Sequence, residues 1–286
     1  MRRPAPLPVR DGVGPARVRL RGGAVLVELA DRFGEPAAAK VLAGEVFCAD
    51  GSVVSASTVL PPGAHVYLYR ELPDEVPVPF DIPVLFRDDN LVVADKPHFL
   101  ATMPRGGHVA QTALVRLRRE LDLPELSPAH RLDRLTAGVL VFTTRREVRG
   151  AYQTLFARGE VAKTYLAHAS ETDVELPITV RSRIVKRRGG LQAVEEPGEP
   201  NAETLIDRVG PLYRLTPRTG RTHQLRVHMA SLGVPITGDP LYPEIIDVAP
   251  DDFSTPLQLL AHSLAFEDPF TGRRRCFTSA RALSHP

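Results

Sequence analysis

The chain has 286 residues, enough for one large domain or for a catalytic domain with a small appendage. Its formal net charge of +2 is too small to identify a nucleic-acid partner without knowing where the cations lie. The two cysteines, Cys48 and Cys276, form no CxxC pair, which argues against a disulfide framework or a zinc site. The first residues contain no apolar run of signal-peptide or membrane-spanning length, so we expect a cytoplasmic protein without a membrane partner.

The sequence predicts that residues 1–75 form a small unit, separate from the rest of the chain. It starts with an arm at 1–22, rich in Arg and Pro, which we expect to be irregular. Two helical segments, two short strands around an Asp-Gly turn and one further strand follow at 25–33, 37–42, 45–54 and 65–69. The proline-punctuated segment 73–80 is a stiff linker and predicts the domain boundary.

The sequence predicts that residues 82–286 form a second domain, in which strands and helices do not alternate regularly. The predicted strands lie at 84–97 (two strands about a turn at 88–90), 138–143, 163–168, 201–209, 212–217 and from 264. The predicted helices lie at 111–122, 151–158 and 222–232. The charged, Gly- and Pro-rich stretch 181–203 predicts an exposed hairpin or loop. This order of elements favours the α+β class, with a mixed, largely antiparallel sheet.

The first chemical motif is the run His-Arg-Leu-Asp-Arg-Leu-Thr-Ala-Gly at 130–138, directly before a predicted buried strand. Asp133 lies between Arg131 and Arg134, whose positive charges favour the ionised carboxylate. Gly138 permits a backbone turn where the strand begins. An isolated Arg-Leu-Asp triplet is more often a turn cap or a surface ion pair, so this motif alone does not establish a site.

Arginines are concentrated around this motif, and the cluster consists of Arg116, Arg118, Arg119, Arg131, Arg134, Arg145, Arg146 and Arg149. For any single arginine, a solvated helix face or strand flank is the simpler interpretation. Their clustering around a candidate site favours a rim that binds phosphate.

The second motif runs from Thr219 to His228 and continues as Gly-Val-Pro-Ile-Thr-Gly-Asp-Pro-Leu-Tyr at 233–242. Its two histidines, with an aspartate downstream, could indicate a metal site. Their five-residue spacing aligns them less well on a helix than a spacing of four, and no third ligand follows in a suitable context. We therefore expect no metal here.

Two shorter motifs complete the set. Val161-Ala-Lys-Thr-Tyr-Leu-Ala reads as a strand, in which Tyr165 alone would be an ordinary cross-strand aromatic residue. Residues 259–269 read Leu-Leu-Ala-His-Ser-Leu-Ala-Phe-Glu-Asp-Pro.

Together these motifs resemble those of the RluA family of RNA pseudouridine synthases. The first resembles His-Arg-Leu-Asp-Arg-x-Thr-Ser-Gly, from which Leu135 and Ala137 depart, and the second matches the family's other long motif almost word for word. The Lys-Thr-Tyr-Leu-Ala run matches Lys-x-Tyr-x-Ala. The last motif matches loosely, because Leu260 and Asp268 stand where the family usually has histidine. Residues 88–97 resemble the segment that opens the catalytic domain, so the resemblance spans about 82–286.

The resemblance implies a catalytic fold with a central cleft that isomerises specific uridines of rRNA or tRNA to pseudouridine. Asp133 would be the nucleophile, and Arg221 would form a salt bridge with its carboxylate. Tyr165 would stack on the target base and is a candidate for the proton transfer at carbon 5. Arg131 would fill the space that the flipped base leaves, and Leu259 would floor the base pocket. The other candidate substrate- and RNA-binding residues are His130, Arg134, Lys163, Thr222, His223, Gln224, Arg226 and His228.

The reaction adds no atom and removes no electron, so neither a cofactor nor a metal is expected. The chemistry needs an enzyme carboxylate and a base that takes the carbon 5 proton. Addition of Asp133 to the base, addition to the sugar and removal of a sugar proton all remain open as its first step.

The N-terminal unit resembles an RNA-binding module of the ribosomal-protein S4 type in the runs 41–54 and 60–66. The basic helix of such modules is missing, because residues 31–40 are nearly neutral. The module is therefore either degenerate and mainly structural, which we favour, or the arm contacts RNA. The cations of the arm region are Arg2, Arg3, Arg10, Arg17, Arg19 and Arg21.

Two other functions stay open. One is an RNA-binding assembly factor with weak or lost catalysis on the same scaffold, against which the intact set of Asp133, Tyr165 and Arg221 argues. The other is a metal-dependent phosphoesterase that would use His130, Asp133, His223 and His228. We expect a monomer that binds RNA.

Overall fold

The computed structural model of the chain describes residues 6–283, and the chain divides into two units between Asp74 and Glu75. This boundary falls within the proline-punctuated segment 73–80. Within residues 6–283, no helix is long and apolar enough to cross a membrane.

The N-terminal unit is a small sheet with two helices. Its elements are β1 (Ala16–Arg19), β2 (Gly23–Ala24), α1 (Val25–Phe33), α2 (Glu35–Leu42), β3 (Phe47–Cys48), β4 (Val59–Leu60) and β5 (His65–Leu68). Strand β5 pairs antiparallel with β1 on one side and with β3 on the other. Val25 and Leu29, one helical turn apart, are fully buried, as the pattern of α1 predicts. Both predicted helices are confirmed, although α2 starts two residues earlier than predicted.

The expectation of an irregular arm is wrong for residues 16–19, which form β1. The exposed Arg17 and Arg19 alternate with Val18, which packs against the core of the unit. A strand this short is stabilised by its pairing with β5, some fifty residues away, and the local sequence does not show that partner. Arg2 and Arg3, named among the cations of the arm, lie outside the described residues.

The second unit contains more strands than helices. Its strands are β6 (Val84–Arg87), β7 (Leu91–Lys96), β8 (Ser127–Pro128), β9 (Ala137–Thr143), β10 (Ala162–Ala167), β11 (Ile178–Ser182), β12 (Ile184–Val185), β13 (Val194–Glu195), β14 (Ala202–Val209), β15 (Leu212–Pro217), β16 (Leu259–Glu267) and β17 (Arg274–Thr278). Its helices are α3 (Ala113–Leu121), α4 (Arg146–Arg158) and α5 (Gln224–Ser231).

Ten of these strands form one sheet, with the order β11-β14-β15-β10-β16-β9-β7-β6 and with β17 on β16 and β8 on β9. Strands β9 and β16 run parallel, while the other pairings described in this sheet are antiparallel. The expected α+β class with a mixed, largely antiparallel sheet is confirmed.

Strand β9 lies at the centre of the unit, and all seven of its residues are buried. Successive side chains of a strand point to opposite faces. Leu140 and Phe142 therefore pack against α3 on one face, while Val139 and Val141 pack against α4 on the other. This rigid strand follows directly after the 130–136 loop and fixes one end of it.

Gly138 allows β16 to approach β9 closely. Its φ is +113°, and a Cβ atom there would lie 2.2 Å from the carbonyl oxygen of Ala261. Only glycine tolerates both the dihedral angle and the contact. The close approach pairs Leu260 with Ala137 and Ala261 with Gly138, which brings the start of β16 beside the 130–136 loop.

Two strands differ from expectation, whereas the hairpin predicted within 181–203 is present. Strand β11 lies outside the predicted elements, and β16 begins at Leu259 rather than near 264. Residues 184–195 form the β12–β13 hairpin within the stretch where an exposed hairpin or loop was predicted. Strand β11 alternates half-buried and exposed residues at the end of the sheet, so its pattern has no continuous apolar run.

Candidate active site

A cavity of about 650 Å³ opens in the second unit beside the start of β9. The lining comes from the 130–136 loop, the end of α4, segment 217–226, and the side chains of Lys163, Tyr165 and Leu259. Four of the motifs found in the sequence therefore meet around one space. Nearly all the candidate site residues lie on its wall; Arg134 and His228 do not.

His130 anchors the loop that carries Asp133. Its Nε2 accepts a hydrogen bond from the backbone N–H of Val141 (3.1 Å), and its ring stacks on Phe156 with centroids 4.3 Å apart. Burial, helped by the charge of Lys163, lowers the pKa of His130 to about 3. His130 is therefore a neutral ring at neutral pH that carries its proton on Nδ1, and it serves the loop rather than RNA phosphate.

Two further contacts hold the loop from behind. The hydroxyl of Thr102 donates to the carbonyl of Leu132 (2.8 Å) and accepts from the Leu132 N–H (3.1 Å). The Lys96 ammonium, at the end of β7, is fully buried and donates to the carbonyls of Pro97, Leu100 and Arg134. Burial lowers the pKa of Lys96 to about 7, although the charge of Asp133 acts in the opposite direction.

The Asp133 side chain is 24% exposed on the cavity wall. Its Oδ2 lies 4.0 Å from Nε2 of His223. The negative charge of Asp133 also raises the pKa of the Tyr165 phenol, after burial, which is the larger cause. Tyr165 therefore keeps its proton at neutral pH, which suits stacking and hydrogen-bond donation but not proton abstraction.

The ion pair expected between Arg221 and Asp133 is absent from the described residues. Arg221 is exposed, and its Nε donates to the carbonyl of Asn201 (3.0 Å). The reason is the position of α5, which begins only at Gln224 after His223 turns the chain with a left-handed φ of +58°. Arg221 precedes this turn and lies on the rim of the cavity.

Arg226 lies inside the helix and is the buried arginine of this motif. It is 2% exposed and forms two hydrogen bonds with Asp239, from Nε (2.7 Å) and from Nη2 (2.5 Å). Burial acts against its charge, but Asp239 and then Asp133 raise the pKa of Arg226. Asp239 is tied in turn to the backbone N–H groups of Leu241 and Tyr242. Arg226 is thus a charged group beside Asp133 and not a surface contact for RNA.

Two other candidate residues serve the scaffold. Gln224 is buried and accepts from the Thr219 hydroxyl and the Arg221 N–H, which fixes the turn before α5. His228 is fully buried and uses both ring nitrogens, on the hydroxyls of Thr204 and Ser182. It does not face the cavity, because these two hydroxyls belong to strands β14 and β11 and hold its ring against the sheet.

The cationic rim of the cavity differs from the predicted cluster. It consists of Arg131, Arg158, Lys163, Arg218 and Arg221. Of the arginines between 116 and 149, Arg131 lines the cavity, whereas several others hold loops together. Arg134 reaches the carbonyl of Phe99, and Arg118 that of Leu126. Arg158 and Arg218 were missed because they lie outside the motifs, at a helix end and a strand end that only the folded sheet brings together.

The proposed metal ligands do not converge. In the part of the chain that the structure describes, no group of three His, Cys, Asp or Glu side chains could hold a metal ion. His228, which the phosphoesterase alternative needs, does not line the cavity and is hydrogen-bonded to Thr204 and Ser182. The residues present therefore do not fit that function.

Comparison with known proteins agrees with this geometry. The sequence profile of the family described as RNA pseudouridylate synthase matches residues 90–231. The dual-specificity RNA pseudouridine synthase RluA of Salmonella typhi is 32% identical over 208 residues, which cover 68% of this chain and 90% of that protein. The chain belongs to the RluA-type family of RNA pseudouridine synthases.

Two other relatives match a smaller share of the chain. Human pseudouridylate synthase RPUSD2 is 34% identical over 168 residues (56% of this chain, 31% of that protein). The mitochondrial tRNA pseudouridine(32) synthase of Saccharomyces cerevisiae is 35% identical over 176 residues (56% and 37%). The matched region is thus about a third of the length of these two relatives. The solved structure of human RNA pseudouridylate synthase domain containing 4 superposes with a TM-score of 0.55 and 26% identity, covering 70% of this chain and 88% of that one.

Proposed function

We propose that this protein isomerises specific uridines of RNA to pseudouridine, with Asp133 as the nucleophile. One observation carries the proposal: the Asp133 carboxylate opens into a 650 Å³ cavity that also contains the Tyr165 ring and a cationic rim. Family membership supports the same reaction. The loop contacts of His130, Thr102 and Lys96 explain how the carboxylate is held in one place.

The reaction breaks the bond between N1 of uracil and C1′ of ribose, turns the base and rejoins it through carbon 5. A fixed carboxylate can serve the first step, because a positioned nucleophile divides a difficult displacement into two easier ones. Arg226 supplies positive charge close to that carboxylate. This assigns to Arg226 the electrostatic role that the sequence suggested for Arg221.

The substrate must leave its base stack to reach Asp133, which costs a few kcal/mol. Tyr165 offers a ring on which the extruded uracil stacks, and the exposed Arg131 at the cavity rim would occupy the vacated space. The cations of the rim would contact the flanking phosphates. One relative is named a dual-specificity RNA pseudouridine synthase and another a tRNA pseudouridine(32) synthase. These names support a structured RNA, either rRNA or tRNA, as the substrate.

The decisive test of this function is pseudouridine mapping across cellular RNA with and without the gene. Wild type should restore a site that is lost on deletion, while Asp133→Asn should not. Asp89→Asn, in the exposed turn between β6 and β7, is the matched control and should restore it. Restoration by Asp133→Asn would refute the nucleophile, and the absence of any lost site would refute the function.

The roles of Arg131 and Tyr165 need a separate experiment. Arg131→Ala and Tyr165→Leu should weaken the signal of a base-flipping fluorophore in the substrate and slow single-turnover isomerisation. Arg87→Ala, exposed on β6, is the control for a lost surface charge. Unchanged flipping in both variants would contradict these two roles.

We further infer that the protein works as a monomer in the cytoplasm. The yeast relative is named as mitochondrial, so the compartment is to be tested by imaging the tagged protein. Light scattering of the purified chain tests the oligomeric state.

A further inference from the structure

His223 occupies an unusual backbone position at the cavity. It caps the N-terminus of α5 with φ +58° and ψ +16°, a left-handed conformation that few residues other than glycine adopt. Such conformations are unfavourable and persist where the surrounding structure enforces them, often at functional sites. The effect here is to aim the ring at the cavity, where its side chain is 11% exposed and its Nε2 lies 4.0 Å from Asp133 Oδ2.

Tyr242 determines which nitrogen of His223 carries the proton. The Tyr242 hydroxyl donates its single hydrogen to the carbonyl of Ala193 (2.9 Å) and accepts from the Ala193 N–H (2.7 Å). Towards His223 Nδ1, at 2.9 Å, the hydroxyl oxygen can therefore only accept. The Nδ1 atom must be the protonated one in the neutral ring, so Nε2 presents a lone pair to the cavity. The two rings meet edge to face, with centroids 5.7 Å apart, which holds the imidazole plane.

We propose that His223 Nε2 is the base that removes the proton from carbon 5 of the rejoined uracil. This inference rests on the proposed isomerisation. It assigns to His223 the proton transfer for which Tyr165 was the candidate, since Tyr165 keeps its own proton in this cavity. A histidine base commonly has one ring nitrogen fixed by a hydrogen bond, here Nδ1, while the other nitrogen accepts the proton.

The step balances as follows. After the base rejoins the sugar through carbon 5, that carbon is tetrahedral and bears both C1′ and the original hydrogen, while N1 and C6 share a double bond. His223 Nε2 takes the hydrogen as a proton, and the C5–H electron pair becomes the C5=C6 double bond. The former N1=C6 pair returns to N1, which takes a proton from water. The proton on Nε2 then leaves to solvent, so the reaction stays a net isomerisation.

The surroundings of His223 suit this transient charge. Burial lowers the pKa of His223 to about 4, while Asp133 acts in the opposite direction, so the free enzyme holds the neutral ring. A weak base suffices, because loss of the carbon 5 proton restores the aromatic uracil. The imidazolium that forms faces the Asp133 carboxylate at ion-pair distance.

The test compares wild type with His223→Gln, Tyr242→Phe, Asp133→Asn and the exposed His108→Gln as control. The probe is total RNA from cells lacking the gene, prepared with either hydrogen or deuterium at carbon 5 of uridine. Single-turnover pseudouridine formation is measured by nucleoside mass spectrometry, and RNA binding and thermal unfolding are measured for each variant. Added imidazole is supplied to a His223→Gly variant, in which the ring's space is empty.

We expect His223→Gln to slow single turnover about 100-fold, within the usual range for a general base, with RNA binding unchanged. The deuterium isotope effect should be larger than in wild type, because removal of the carbon 5 proton becomes rate-limiting. Tyr242→Phe should give a smaller loss of about 10-fold with the same increase in isotope effect, and imidazole should restore His223→Gly but not Asp133→Asn.

A rate for His223→Gln within two-fold of wild type would overturn the inference. So would a slow variant with a wild-type isotope effect and no rescue by imidazole, which is what a merely structural residue would give. If wild type forms no pseudouridine in this RNA, the proposed function itself fails, and the two failures are thereby distinguished.

Discussion

The buried ion pair between Arg226 and Asp239 gives the sharpest stability prediction. Both side chains are almost inaccessible, at 2% and 0% exposure, and two hydrogen bonds join them. Asp239→Asn keeps the shape and an acceptor for the backbone N–H groups of Leu241 and Tyr242, but it leaves the Arg226 charge uncompensated. Removing one partner of a buried pair typically costs about 3–5 kcal/mol. For a unit of this size, that loss corresponds to a melting temperature about 6–20 °C lower.

The assay is urea unfolding followed by circular dichroism, for Asp239→Asn, for Arg226→Met and for the double variant. Because the double variant buries no unpaired charge, it should be more stable than Asp239→Asn alone. The coupling energy from the cycle should be about 2–3 kcal/mol. A loss below about 1 kcal/mol for Asp239→Asn, the range of exposed pairs, would refute the argument that the pair is desolvated.

Three further predictions concern the scaffold of the site. Gly138→Ala should lower the unfolding free energy by more than about 2 kcal/mol, since it combines an unfavourable φ with a backbone clash. The control, Gly210→Ala, is also at positive φ but has no atom within 4 Å, and it should lower the unfolding free energy by about 1 kcal/mol. Equal losses of the two variants in urea unfolding would contradict the role of the clash. The pKa of Lys96 is lowered in the folded protein, so the unfolded chain binds a proton at Lys96 more readily. The stability of wild type should therefore rise relative to Lys96→Met as pH increases from about 7 towards 10.5. A parallel pH dependence of the two proteins would contradict this. Four half-buried or buried histidines are neutral when folded and become protonated on unfolding. The free energy of unfolding should therefore fall as pH decreases from 6.5 towards 4, by up to about 1.4 kcal/mol per pH unit for each one. Urea midpoints that stay flat over that window would count against it. These histidines are His98, His130, His223 and His228.

The motifs located the site because each is a continuous stretch of sequence. Asp133, Tyr165 and Leu259 line one cavity, as the resemblance of their three motifs to those of the family implied. The side chain that each residue contacts was harder to predict. Arg221 and Arg226 belong to the same run, and their opposite directions depend on where α5 begins, which a left-handed residue sets. Helix boundaries of this kind are the least reliable part of a sequence prediction.

Partners that are distant in sequence could not be predicted. Tyr242 determines the tautomer of His223 through a hydroxyl that is also bound to Ala193. His223 and Tyr242 belong to one motif, but nothing in the local sequence connects either of them to Ala193. Strand β1 was missed for a similar reason, because its stabilising partner is β5. Tertiary pairing decides such elements more than propensity does.

The parallel pairing of β9 with β16 has a consequence for the order in which the molecule is assembled. It joins Ala137 and Gly138 to Leu260 and Ala261, which are roughly 120 residues apart in the chain. On the ribosome, Asp133 is synthesised long before Leu259, so the loop that carries Asp133 is complete before the opposite wall of the cavity exists. We therefore expect a chain that ends before β16 to carry the 130–138 motif without an enclosed cavity and to be inactive.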